Sequence, residues 1–392
     1  MRPAALVLAG ALLAGCSAAP APDGMTGSIP ASTTASASPD PTPSDTPVPT
    51  GPACTAEATS MDLAAQVGQL VMVGVDVGLS DAQRSVIRRN QLGSVILMGR
   101  TPGGARQVAA VAGKLDALAG EAGVLIATDQ EGGLVQRLQG PGFSKIPPAA
   151  EQAKLSSAEL VAKAKGWGRE LASARVRLDL APVADVVPAK FRATNQPVAR
   201  LGRGYGSDPK TVSAKVAAFS KGMRAADVAV AVKHFPGLGA VTGNTDFASS
   251  VVDRTTTAKS ALLRPFKDAV ADGADAMMVS SARYTKIDPD HIAVFSPTVI
   301  GLLRSWGFDR VVVSDDLGAA AAVRGVPSSQ RAVRFVSAGG DLALTVDVAT
   351  AEAMASGLRT AAKADPDLAD RVAESTARVL ALKASLGLYE CG

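Results

Sequence analysis

Short apolar runs alternate along the chain with longer segments in which apolar residues recur at helical spacing. The runs lie at 67–75, 94–99, 123–131, 177–186, 228–237, 274–281, 310–317 and 341–345. Each run is rich in β-branched residues or almost continuously apolar, which is typical of parallel strands that are buried on both faces. The pattern therefore predicts eight strands.

The segments between the runs predict helices, because they combine helical spacing with capping residues. We expect helices over DAQRSVIRRN, ARQVAAVAGKLDALAG, SAELVAKAKGWGRELAS, DPKTVSAKVAAFSKGMRAA, SPTVIGLLRSWG and 366–386. Strands that alternate with helices in this way predict an α/β fold, a single-domain (β/α)8 TIM-like barrel over 56–392, with its active site at the carboxyl ends of the strands. An open doubly wound sheet is the alternative, and the strand number fits it less well.

The first 55 residues differ in composition from the rest of the chain. Arg2 is followed by ALVLAGALLAG, an apolar run that is too short to cross a bilayer and predicts a signal peptide over 1–15. Its LAGC ending resembles a bacterial lipobox, so we expect lipidation of Cys16. An ordinary signal peptide followed by an incidental cysteine is the alternative. The stretch 16–55 is rich in Ser, Thr, Pro and Ala and predicts a disordered linker.

These features predict a location outside the cytoplasm, with a lipid anchor on the outer face of a bacterial cytoplasmic membrane. Cys54 and Cys391 flank the folded region. In an oxidising compartment such a pair predicts a disulfide, with two free thiols as the alternative.

Composition excludes several other classes of protein. The net charge is +4 and the basic residues are scattered, unlike the stripes of a nucleic-acid-binding protein. The sequence has no CxxC motif and no cluster of Cys and His, so we expect no zinc site. We expect a monomer that needs no metal or organic cofactor.

Charged residues follow four of the predicted strands. Asp129 and Glu131 end the third strand, Asp185 the fourth, Lys233 and His234 the fifth, and Asp315 and Asp316 the seventh. Because the carboxyl ends of barrel strands meet at one rim, these residues predict a polar pocket there. Such a pocket suits a neutral polyhydroxylated ligand, and two carboxylates are sufficient for the hydrolysis of a glycoside.

Several short motifs follow one another in a specific order: DQEGG, VQR, LAPVADV, KHFPG, FSPTVI and VVVSDDLG. Together they resemble the glycoside hydrolase family 3 β-N-acetylglucosaminidases of the short, single-domain bacterial type, over about residues 60–390. With the lipobox, the chain is similar to actinobacterial cell-surface lipoproteins of that family. The resemblance implies a retaining exo-enzyme that removes terminal β-linked N-acetylglucosamine from peptidoglycan-derived or related glycans. A β-glycosidase of other sugar specificity is an alternative.

The resemblance also implies roles for particular residues. Asp315, the first aspartate of SDDLG, matches the nucleophile that forms a covalent glycosyl-enzyme, whereas Asp316 is expected to be structural. Asp129, Arg137, Arg203, Lys233 and His234 match substrate-binding positions. For His234, a buried structural histidine is the alternative.

The loop after the fifth predicted strand departs from the family pattern. The family has an Asp-Ser-His triplet there, whose histidine is the acid/base, but the same interval here reaches Asn244, Thr245 and Asp246. His291 lies beyond the sixth strand and is interpreted as a loop residue.

Three interpretations of the changed triplet remain. In the first, Asp246 is the acid/base and Asn244 orients it, since a carboxylic acid near apolar walls can keep its proton and protonate the leaving oxygen. In the second, the protein is a glycan-binding lipoprotein without turnover. In the third, the acid/base is Glu131 or the acetamide of the substrate. We favour Asp246 because it occupies the position itself; an Asx-turn or cap is its structural alternative.

A carboxylate beside the anomeric carbon would repel phosphate as a second-step nucleophile. The change from histidine to Asp246 therefore predicts hydrolysis rather than phosphorolysis.

Overall fold

A ring of parallel strands lies at the centre of the fold. The computed structural model describes residues 54–118 and 120–392. The described residues contain twelve strands, eight of which form this ring: β1 (Val71–Val75), β2 (Ser94–Leu97), β3 (Leu125–Thr128), β4 (Gln130–Gly132), β5 (Val135–Gln136), β6 (Leu178–Asp179), β7 (Ala229–Phe235), β8 (Val252–Thr257), β9 (Ala276–Val279), β10 (Arg283–Lys286), β11 (Val311–Ser314) and β12 (Ala343–Thr345). The predicted signal peptide over 1–15, Cys16 and the linker up to residue 53 lie outside the described residues.

Helices connect and surround these strands. They are α1 (Thr55–Ser60), α2 (Leu63–Gln69), α3 (Asp81–Arg89), α4 (Gly104–Asp116), α5 (Ala149–Gln152), α6 (Ser157–Ser173), α7 (Pro209–Arg224), α8 (Arg264–Ala271), α9 (Pro297–Ser305), α10 (Ser328–Ser337), α11 (Val348–Ala364) and α12 (Pro366–Ser385). Short 3-10 turns lie between some of them, including one over Ala321–Val323.

Eight of the strands pair in parallel, in the order β11, β9, β7, β6, β3, β2, β1 and β12. A parallel bridge between Val313 and Leu342 brings the two ends of this series together. The Ser314 N–H also donates to the Leu342 carbonyl at 3.0 Å. The sheet therefore closes upon itself with helices around it, which confirms the predicted (β/α)8 barrel and excludes the open doubly wound sheet.

The predicted strand over 67–75 was wrong at its beginning. Residues 67–69 end α2, and β1 begins at Val71. The side chain of Asp62 accepts the Ala65 N–H at 2.8 Å and caps α2, so this apolar segment starts as a helix. The other seven strands of the barrel are shorter than the apolar runs that predict them. Three helices, α8, α10 and α11, lie where no element was predicted.

Two small strand pairs lie outside the barrel sheet. β4 and β5 form an antiparallel hairpin directly after β3, and β8 pairs in parallel with β10. The hairpin returns the chain toward β3, since the Arg137 N–H donates to the Asp129 carbonyl at 3.1 Å. Two candidate site residues are thereby held next to each other.

The first and last described segments meet at the pole of the barrel opposite the carboxyl ends of the strands. A disulfide joins Cys54 and Cys391, whose Cα atoms are 5.1 Å apart. Lys383 of α12 is buried there and donates to the carbonyls of Ala122 and Gly123 at 3.1 and 2.9 Å. Because both carbonyls precede β3, α12 covers the amino ends of the strands. None of the described helices combines the length and apolar character needed to cross a membrane.

Candidate active site

Charged side chains meet at the carboxyl ends of the barrel strands, around a cavity of about 620 Å³. All eight residues predicted to be catalytic or substrate-binding line this cavity: Asp129, Arg137, Arg203, Lys233, His234, Asn244, Asp246 and Asp315. They come from strand ends and loops that are far apart in the sequence, and the closure of the barrel brings them together. The disulfide lies at the opposite pole.

A network of ion pairs forms one side of the cavity. The Lys233 ammonium lies 2.6 Å from Asp129 Oδ1 and 2.7 Å from Glu131 Oε1. Arg203 donates from Nε and Nη2 to the two carboxylate oxygens of Glu131, at 2.9 and 2.7 Å. Two cations thus alternate with two carboxylates, in the geometry that makes buried ion pairs favourable.

The network keeps its members charged. Burial alone would raise the pKa of Glu131, but Arg203 and Lys233 outweigh burial and hold that pKa far below its ordinary value. Burial alone would likewise lower the pKa of Lys233, but Asp129 and Glu131 outweigh it and raise the pKa. An ionised Glu131 that is occupied by two cations is unsuited to donate a proton, which argues against it as the acid/base.

Asp185 positions the His234 ring through the Nδ1 side. Asp185 Oδ2 lies 2.8 Å from His234 Nδ1, and Asp185 Oδ1 accepts the backbone N–H groups of His234 and Leu238 at 3.2 and 2.8 Å. On the other side of the ring, Arg203 Nη2 lies 3.2 Å from Nε2. Because a guanidinium can only donate, Nε2 accepts and Nδ1 carries the proton. Both ring nitrogens therefore have protein partners, and the ring is fixed as part of the cavity.

Asp315 lies directly after β11 and is half-buried in the cavity. Its backbone N–H donates to the Val279 carbonyl at 2.9 Å, and its Oδ1 accepts the Asp316 N–H at 2.9 Å. Burial raises the pKa of the Asp315 carboxyl, and the hydrogen bond from the Asp316 backbone N–H acts in the opposite direction. The carboxylate is thus oriented by its own backbone, with one oxygen left to act in the cavity.

The Asp316 carboxylate accepts hydrogen bonds from the backbone of two neighbouring segments. Its Oδ1 accepts the backbone N–H groups of Gly318 and Val346 at 2.7 and 3.2 Å, and its Oδ2 accepts that of Ala319 at 3.0 Å. These contacts tie the loop after β11 to the segment after β12. They fit the structural role that the sequence analysis assigned to Asp316.

Asp246 lies on an exposed part of the loop after β7, not between apolar walls as the sequence analysis supposed. Asn244 Oδ1 accepts the Asp246 backbone N–H at 3.0 Å, so Asn244 makes an Asx-turn that holds the backbone of Asp246, not its carboxylate. The loop is also docked on the 3-10 turn after β11, because Ala321 and Ala322 donate to the carbonyls of Asp246 and Thr245, each at 3.2 Å. The Asp246 side chain therefore enters the cavity from a fixed turn.

The beginning of the same loop is held by Asn195, a buried residue between β6 and α7. Its Nδ2 donates to the carbonyls of Leu238 and Val241 at 2.7 and 2.9 Å. Gly239 lets the loop pass close to the segment after β6, since an added Cβ would overlap the carbonyl oxygen of Val186. Asn195 thereby joins two loops that each supply residues to the cavity.

Asp179 lies beneath the ion-pair network at the end of β6. Its Oδ1 accepts the Gln130 N–H at 2.9 Å, and its Oδ2 has no partner among the described residues. Burial raises the pKa of Asp179 to about 8, against the lowering effect of the Gln130 hydrogen bond. Asp179 is therefore protonated at neutral pH.

Some cavity and supporting residues were missed by the sequence analysis. The partners of Asp185 and Asn195 depend on tertiary contacts that no local motif announces, although the polar ending of LAPVADV is a signal for Asp185. Phe247 and Arg324 line the cavity from loops after β7 and β11. His291 lies 3.0 Å from Asp288 through Nδ1 and is absent from the cavity wall, as expected of a loop residue.

Comparison with known proteins identifies relatives over most of the chain. The family model described as the glycosyl hydrolase family 3 N-terminal domain matches residues 62–382. A β-hexosaminidase from Vibrio cholerae is 35% identical over 271 residues, which cover 68% of this chain and 78% of the relative.

Solved structures agree with the sequence relatives. A β-N-acetylhexosaminidase from Beutenbergia cavernae superimposes with a TM-score of 0.81 at 43% identity, covering 83% of this chain and 99% of that structure. LpqI from M. tuberculosis superimposes with a TM-score of 0.73 at 28% identity, covering 85% of this chain and 97% of that structure.

Proposed function

The chain belongs to glycoside hydrolase family 3, and we propose that it is a retaining exo-β-N-acetylglucosaminidase that uses Asp315 as nucleophile and Asp246 as acid/base. The observation that carries the proposal is that both carboxylates line one cavity together with the Asp129–Lys233 pair. The names of the relatives supply the expected sugar, a β-linked N-acetylhexosamine.

In the first step, a carboxylate oxygen of Asp315 attacks the anomeric carbon and the bond to the glycosidic oxygen breaks. The carboxylic acid of Asp246 gives its proton to the departing oxygen, so that the leaving sugar departs as an alcohol. The product is a covalent ester between Asp315 and the terminal sugar.

In the second step, the Asp246 carboxylate takes a proton from water and the resulting hydroxide attacks the anomeric carbon from the opposite face. The ester bond to Asp315 breaks, which restores its carboxylate and releases the sugar with its original anomeric configuration. The same group acts as acid and then as base, so Asp246 ends each cycle protonated.

Binding of the terminal sugar is assigned to the ion-pair side of the cavity. Asp129 is the half-buried end of the network, and its carboxylate can accept hydrogen bonds from sugar hydroxyls. Lys233 and Arg203 line the same side and can donate. Exposed Arg137 has no carboxylate partner among the described residues, and its guanidinium can also donate.

A chromogenic β-N-acetylglucosaminide tests the activity. We expect turnover by the native chain, loss of more than about 1000-fold in Asp315→Ala, and no loss in Asp309→Ala, which removes an exposed aspartate remote from the cavity. Intact sugar binding without turnover in the native chain would favour the alternative of a glycan-binding protein.

The covalent step has its own test. A 5-fluoro-N-acetylglucosaminyl fluoride should accumulate as an ester because the ring fluorine slows both steps, while the good leaving group fluoride keeps the first step fast. Mass spectrometry of a digest should then place the added mass on the peptide that contains Asp315. Mass found on a peptide containing only Asp246 would overturn the assignment of roles.

The natural substrate and the anchoring are further proposals that rest on the sequence. We infer a peptidoglycan-derived glycan as substrate and a lipid anchor at Cys16 on the outer face of the cytoplasmic membrane. Membrane fractionation of the native chain and of Cys16→Ser checks the anchor: the native chain should sediment with membranes and the variant should not. Equal sedimentation of both would argue against it.

A further inference from the structure

One aromatic side chain of the cavity is almost fully exposed. Phe247 is 85% exposed and Leu134 is 78% exposed, the two exposed large apolar side chains of the described residues. Phe247 lines the cavity and Leu134 does not. An exposed apolar residue alone means little, so the significance of Phe247 depends on its place in the cavity.

Phe247 is held in place by its backbone. Its N–H donates to the Asn244 carbonyl at 3.2 Å, and the next residue, Ala248, donates to the same carbonyl at 2.9 Å. Asp246, directly before it, is docked on the Ala321 N–H. The ring therefore projects from a fixed turn rather than from a loose loop.

The position of Phe247 next to Asp246 identifies which half of a substrate it faces. A proton donor must reach the glycosidic oxygen, which lies between the terminal sugar and the leaving group. The terminal sugar is assigned to the ion-pair side of the cavity. An exposed ring beside Asp246, the proton donor, therefore faces the leaving group. We propose that Phe247 forms the leaving-group subsite and stacks on the pyranose ring of the second sugar. This inference rests on the proposed function.

The chemistry of both partners favours such a contact. The face of a β-linked pyranose presents axial C–H groups, and the face of a phenyl ring carries negative charge density. A sugar placed on Phe247 would bury the exposed ring and would also shield Asp246 from water. Substrate binding would then create the apolar surroundings of the acid that the empty cavity lacks.

Two substrates that differ only in the leaving group test the subsite. Diacetylchitobiose carries a second pyranose ring, whereas N-acetyl-β-glucosaminyl fluoride carries only fluoride. We expect the ratio of kcat/KM for the disaccharide to kcat/KM for the fluoride to fall roughly tenfold in Phe247→Ala. Phe247→Tyr, which keeps the ring, should restore the ratio. Leu134→Ala, the exposed apolar control outside the cavity, should leave it as in the native chain.

Equal losses on both substrates, or no loss on the disaccharide, would overturn the subsite. If the native chain hydrolyses neither substrate, the proposed function fails, and calorimetric binding of diacetylchitobiose then decides the subsite separately. Weaker binding to Phe247→Ala than to the native chain would support it, and equal binding would overturn it.

Discussion

Arg203 donates two parallel hydrogen bonds to the Glu131 carboxylate, from Nε at 2.9 Å and from Nη2 at 2.7 Å. Arg203 also touches His234, and Glu131 also holds Lys233. The Arg203 guanidinium therefore connects His234 to the ion pair of Glu131 and Lys233. A lysine in its place would keep the charge but could not make the paired contact.

The first prediction follows from this pair. Arg203→Lys should lower the free energy of unfolding by about 2 kcal/mol and kcat/KM by roughly tenfold. Urea denaturation and initial rates check the two effects. The control is Arg89→Lys, since Arg89 pairs with Glu352 at 2.8 Å on the surface and should lose less than about 0.5 kcal/mol. Equal losses in both variants would contradict a special role for Arg203.

The second prediction concerns the proton donor. Asp246→Asn should slow the hydrolysis of substrates with poor leaving groups by about 100-fold or more, and affect a dinitrophenyl glycoside much less at the bond-breaking step. The reason is that only a poor leaving group needs protonation as it departs. Rates for a series of aryl leaving groups give this dependence as a slope. A slope equal to that of the native chain would remove Asp246 from the role.

The third prediction concerns the acidic side of the pH profile. Burial raises the pKa of Asp315, and a nucleophile is active only when it is ionised. The rate should therefore fall on acidification at a pH above the ordinary aspartate pKa. Because the proposed acid is protonated when Asp315 ionises, it carries no charge at that point, and the acidic limb of kcat/KM for a dinitrophenyl glycoside should stay in place in Asp246→Asn. A shift of the limb to lower pH would mean that Asp246 is ionised there and would contradict its role as the acid. In Asp290→Asn, an exposed control outside the cavity, the limb should stay in place.

The fourth prediction concerns the acceptor in the second step. An Asp246 carboxylate about 4 Å from an incoming phosphate would repel it by about 1–4 kcal/mol. Phosphorus NMR in high phosphate should therefore show free N-acetylglucosamine and little sugar 1-phosphate. Asp246→His, which restores a neutral base, should raise the share of sugar 1-phosphate. Dominant phosphorolysis by the native chain would contradict the charge argument.

The fifth prediction concerns stability. Asp179 has a folded pKa of about 8, above its unfolded value of about 4. Its stabilising contribution is therefore fully present below the unfolded pKa and is lost as the pH rises through 8. Relative to Asp179→Asn, which mimics the protonated acid, the native chain should lose on the order of a few kcal/mol of unfolding free energy between pH 4 and pH 9. Parallel stability curves from urea denaturation would contradict this.

The barrel could be predicted from sequence because its signal is local. The run at β7 is apolar up to Lys233 and is buried along its whole length. The end of each run also marks a strand end, which is why Asp129, Lys233 and Asp315 could be placed at one rim. The beginning of β1 was wrong because an apolar run does not distinguish a buried helical turn from a strand.

The remaining parts of the site depend on contacts between distant segments. The sequence places Asp185 at a strand end and shows Asn195 as an ordinary polar residue, and only the fold places them against His234 and against the carbonyls after β7. For Asn244, expected to orient Asp246, only the fold shows that its amide holds the backbone of Asp246 and not the carboxylate. Side-chain roles of this kind follow from tertiary geometry and leave no periodic pattern.

The disulfide at the base of the barrel has a consequence for orientation. Cys54 is the first described residue, and its bond to Cys391 fixes the entry of the chain at the pole opposite the cavity. Any tether that continues from Cys54 would therefore join the barrel at the pole away from the cavity. That junction would leave the mouth of the cavity free for glycans.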